Sequence, residues 1–81
     1  MSKNDLKNYV IQTMEYLKED AFQAKASYLK EKNLGKSSFK DGVLMGYYYA
    51  ITLFKKQAEL HGIDLKDINL DDIDPDKDLL H

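Results

Sequence analysis

The sequence predicts an all-α fold: an antiparallel helical hairpin with a short-turn acidic C-terminal segment, completed to a four-helix bundle by homodimerisation. Three observations predict it. The first 33 residues carry an apolar heptad seam. Residues Val43 to Phe54, VLMGYYYAITLF, form a twelve-residue run without a single charge. The last twenty residues mix seven aspartates with regularly placed leucines and isoleucines. A helix whose large side chains point nearly all the way round belongs inside something. The rest of an 81-residue chain has little material with which to enclose it.

The first helix is expected over about 4–33. Ser2 or Asn4 caps it, and Asn33-Leu34-Gly35 supplies the stop, with Gly35 free to turn left-handed. Val10, Met14, Leu17, Ala21, Ala24 and Tyr28 recur in alternating steps of four and three, the spacing of a helix-packing seam, with Leu6 close beside it. Ile11, Phe22, Ala26 and Leu29 form a second apolar line and suggest a second packing partner. Lys7, Lys18, Lys25 and Lys32 lie between the two lines, where their stems can cover apolar surface while the ammonium groups reach water.

Gly35-Lys36-Ser37-Ser38 reads as a short turn, a length that favours an antiparallel hairpin. Ser38 with Asp41 three residues on reads as a capping box that uses Asp in place of Glu. The second helix is expected over about 38–61, with Phe39, Val43, Gly46, Tyr47, Ala50, Phe54, Gln57 and Ala58 as its main face. Tyr47-Tyr48-Tyr49 and Ile51-Thr52 also suit a strand. Helix is preferred because the run continues into the good helix formers Lys55 to Leu60. Gly42, Gly46 and Ala50, four apart, make a groove where another helix can approach. Gly62 closes the helix, with His61 in its last turn and Ile63 folding back.

The C-terminal segment, 62–81, contains a five-residue near-repeat: Asp64 to Ile68, Asn69 to Ile73, then Asp74-Pro75. Each unit opens with a capping residue, so successive single turns are expected rather than one helix. Leu65, Ile68, Leu70, Ile73, Leu79 and Leu80 are too many for a disordered tail. The segment is expected to drape over the hairpin, bury them and turn its aspartates to water.

Chemistry finds little support. With no cysteine, tryptophan or arginine, and with His61 and His81 in no nucleophile or metal motif, the chain is not expected to be an enzyme, and catalytic, cofactor and metal residues are expected to be none. Asp72-x-Asp74-x-Asp76-x-Asp78 resembles the start of a calcium loop. Lys77 stands where that loop needs glycine, and the closing glutamate position lies past His81. Two glycines without a preceding strand make no phosphate loop. The uncharged run is too short to cross a bilayer, which takes about 20 residues. No apolar core follows Lys3, so no signal peptide is expected and the protein is placed in the cytoplasm.

What remains is association. A dimer interface is expected at Gly42, Gly46, Tyr47, Ala50 and Phe54, where second helices meet across a twofold axis. The competing arrangements are a monomer whose tail closes the core, and a monomer that leaves Met45, Tyr48 and Tyr49 as a patch for another protein. Tyr48, Tyr49, Asp67, Asp71, Asp72, Asp74 and Asp76 are the expected partner-binding residues, because an acidic ridge beside tyrosines steers toward and holds a basic protein. The reading is a small protein-binding module, of the inhibitor or immunity type, that blocks a basic enzyme such as a nuclease. The alternative is a nucleic-acid-associated helical dimer using the lysine line. It is opposed by the absence of arginine, the net charge of −2 and the acidic tail.

Overall fold

Ser2 starts the first helix as its N-cap. Its hydroxyl accepts from the Asp5 backbone N–H at 3.1 Å, and the Asp5 carboxylate accepts from the Ser2 N–H at 3.2 Å, closing a capping box. Helix α1 then runs over Lys3–Asn33 and α2 over Ser38–Leu60. A 3-10 turn follows at Leu65–Ile68 and a one-turn helix, α3, at Pro75–Leu79. The computed structural model describes residues 2–35 and 38–80. The middle of the expected interhelical turn, Lys36-Ser37, and His81 lie outside the described residues. Helix α2 begins at Ser38 itself, so Ser38 sits in the first turn and does not cap it.

The two long helices are antiparallel. Val10 and Met14 near the start of α1 lie beside Phe54, Ala58 and His61 near the end of α2, and Leu17 lies beside Val43, Tyr47 and Ala50. The heptad seam of α1 faces this contact as the spacing predicts: Met14, Ala21 and Ala24 are buried, and Val10, Leu17 and Tyr28 pack around them. Helix α2 ends as the sequence predicts. Gly62 is left-handed at φ 68°, its N–H donates to the Glu59 carbonyl at 3.2 Å, and Ile63 N–H donates to Ala58 O at 2.8 Å. Those two bonds are the full Schellman closure.

The main face of α2 differs from the expected one. Its buried residues are Leu44, Ile51 and Ala58, seven apart; of the expected face Ala58 is buried and Tyr47 and Ala50 are half-buried, but Phe39, Val43, Gly46, Phe54 and Gln57 are exposed. Phe39 is 76% exposed and Phe54 42% exposed. The uncharged run offered large side chains on almost every side, and the tail decides between them. It runs lengthwise over α1 and α2, from Asn69 beside Ile11 and Glu15 to Leu79 beside Lys25. On that path Leu70, Ile73 and Leu79 become fully or almost fully buried and join Leu44, Ile51 and Met14 in one core. The second apolar line of α1 gains less. Ile11 is half-buried, while Phe22, Ala26 and Leu29 stay exposed.

The tail is built of single turns, with one exchange of roles. Asp64 caps the 3-10 turn by accepting from Lys66 N–H at 3.0 Å. Asp74 caps α3, accepting from Asp76 N–H at 3.0 Å and Lys77 N–H at 3.3 Å, with Pro75 in the first helical position. Asn69 does not open a turn. It ends the 3-10 turn in the left-handed region at φ 62°, and its side chain crosses to α1.

Candidate functional site

Lys18 holds the tail to the hairpin. It was expected to reach water, yet it is only 4% exposed. Its Nζ donates to Asp72 Oδ1 at 2.7 Å and to Asn69 Oδ1 at 3.0 Å, and lies 3.4 Å from Glu15 Oε2. A buried ammonium has to be paired, and three oxygens meet this one. Asn69 completes the clasp by donating from Nδ2 to the Ile11 carbonyl at 3.1 Å and to Glu15 Oε2 at 2.9 Å. The hydrogen bond from Lys18 holds the Asp72 carboxyl below its ordinary range. The Asn69 amide, helped by the Lys18 charge, does the same for Glu15.

Two more lysines act on the tail backbone. Lys25 Nζ donates to Leu79 O at 2.9 Å, and Lys55 Nζ donates to Ile73 O. Of the four lysines that would form a phosphate-tracking line, Lys18 and Lys25 are therefore engaged, and Lys7 and Lys32 remain exposed. The signal for this role was present: Lys18 falls one turn after Met14 and one before Ala21, on the buried face.

The tyrosine and aspartate set divides in the same way. Tyr48 is half-buried and donates its hydroxyl to Asp76 Oδ1 at 2.7 Å, which pushes its phenol pKa up. Asp72 serves Lys18, and Asp74 caps α3. Tyr49 packs its ring edge-on against Tyr48 with centroids 5.4 Å apart and is 63% exposed. Asp67 and Asp71 are exposed and enter none of these contacts. Three of the seven, Tyr48, Asp72 and Asp76, thus fasten the tail to the helices, Asp74 caps α3, and Tyr49, Asp67 and Asp71 keep exposed side chains. Among the described residues no group of three or more His, Asp or Glu side chains is placed to hold a metal ion. Nor is any helix among them long and apolar enough to cross a membrane.

The side of α2 away from the tail carries the five residues expected at a dimer interface. Gly42 and Gly46 are exposed, Ala50 and Tyr47 are half-buried, and Phe54 is exposed. At about 100° per residue, Tyr49, Gly42, Leu53, Gly46, Phe39, Ala50, Val43 and Phe54 span roughly 140° of the helix with no charge among them. Two shallow apolar hollows border this side, the first of them closed at one edge by the start of the tail. One, of about 230 Å³, is bordered by Val10, Met14, Phe54 and Ile68. The other, of about 270 Å³, is bordered by Leu17, Val43, Gly46, Tyr47 and Ala50. Of the residues the sequence marked for the interface, Tyr47 packs against the chain's own core and Ala50 is half-buried, while Gly42, Gly46 and Phe54 are exposed.

No protein-family model, curated protein or solved structure matches this chain.

Proposed function

We propose that the chain is a small protein-binding module that works as a twofold dimer. Two hairpins close into a four-helix bundle through the uncharged side of α2, and each copy turns its acidic tail outward to a basic protein. The observation that carries this reading is the uncovered arc of α2 from Phe39 to Phe54, apolar along its whole length. Monomers seldom leave a contiguous patch of that kind in water. The tail covers little of the arc: its anchors on α2, Tyr48 and Lys55, lie on the other side of that helix, and only Ile63 and Ile68 come beside Phe54.

The partner-binding role falls to Asp67 and Asp71, with the aspartates that fasten the tail adding to the local negative field, while Tyr49 lies on the uncharged arc that meets the second copy. An inhibitor or immunity-type protein that occupies the phosphate-binding surface of a nuclease fits this chemistry. Light scattering tests the first half: a mass of twice 9.4 kDa is expected at micromolar concentration. Pull-down with Asp67→Lys/Asp71→Lys as the control tests the second. A partner with a basic surface, lost in the double variant and weakened by salt, is the expected result. A partner retained equally by both chains would overturn the acidic-face assignment. The nucleic-acid alternative has only Lys7 and Lys32 left of its line, and a gel shift at low and moderate salt decides it.

A further inference from the structure

We draw no further inference here: the strongest candidate, the apolar hollow of about 230 Å³ between Val10 and Met14 of α1, Phe54 of α2 and Ile68 of the tail, at the end of the uncharged arc of α2, carries nothing because nothing in the structure shows what covers it.

Discussion

Lys18 sets an asymmetry that mutation will expose. Its ammonium is buried, whereas the Asp72 side chain that receives it is 65% exposed. Removing the lysine returns Asp72 to water. Removing the aspartate leaves a buried cation with only Asn69 and Glu15 beside it. Asp72→Ala is therefore expected to destabilise by about 2 kcal/mol and Lys18→Met by no more than about 1 kcal/mol. Urea unfolding of the two variants checks the order, and equal losses would mean that the ammonium finds water in the native state. The same contacts shape the pH profile. Asp72 and Glu15 have folded-state pKa values below their ordinary 3.8 and 4.5, so the folded chain holds those protons less tightly than the unfolded one. Their contribution is full above the ordinary values and falls as pH drops through the folded ones. Tyr48 is shifted the other way, above 10.0, by its bond to Asp76. Its contribution is full below that value and is lost as pH rises through the folded pKa. Stability is expected to drop below about pH 4 and again above about pH 10, with Asp72→Asn flattening the acid arm and Tyr48→Phe the alkaline one in thermal melts across pH.

At the level of the helices, Gly46 gives opposite signs to folding and to association. Alanine there meets open space within the chain, so Gly46→Ala is expected to raise the stability of the helix by up to about 1 kcal/mol. The added methyl stands where a second α2 approaches, so the dimer is expected to weaken at the same time. Circular dichroism melts at low concentration and sedimentation across a dilution series read the two effects separately. A variant that gains both stability and association would remove Gly46 from the interface. The seam of α1, Met14 to Tyr28, was legible in the sequence because it keeps its steps of four and three throughout, whereas the second apolar line is broken between Ile11 and Phe22. The closing turn at Gly62 was legible because glycine there has one inexpensive use. In α2 the phase was not legible. Leu44 and Ile51 compete with Val43, Phe54 and Leu53, and periodicity cannot choose where nearly every side is apolar. The choice is made by residues twenty to thirty positions away, Leu70, Ile73 and Leu79. Of the candidate site, the apolar line was visible as a line and Lys18 was visible on the buried face, but the tail partners of Lys18, and the use of Asn69 and Tyr48 to fasten the tail, were not. Their partners lie more than fifty residues away, or twenty-eight in the case of Tyr48.

For the whole molecule, the tail is part of the core. The extents of 48 × 23 × 17 Å leave a rod about two helices wide, and a bare helical pair that thin has little interior. Leu70 and Leu79 are fully buried at the line where α1, α2 and the tail meet. Leu70→Ala or Leu79→Ala is expected to destabilise by about 2–5 kcal/mol, a large share of what so small a domain holds. If the tail were an independent strap, the loss would appear as local fraying while the helices melted unchanged. Because Leu70 belongs to one core with Met14 and Ile51, helix and tail signals are expected to fall together. Far-ultraviolet circular dichroism and proteolysis within residues 63–80 should therefore give one midpoint in the variants and in the unaltered chain. Association enters the same balance, since a second copy that binds only the folded state stabilises it by mass action. The melting temperature should then rise with protein concentration, in the variants as in the parent. A midpoint independent of concentration over a hundredfold range would mean that the hairpin and its tail fold without help, and that the open side of α2 is left to water.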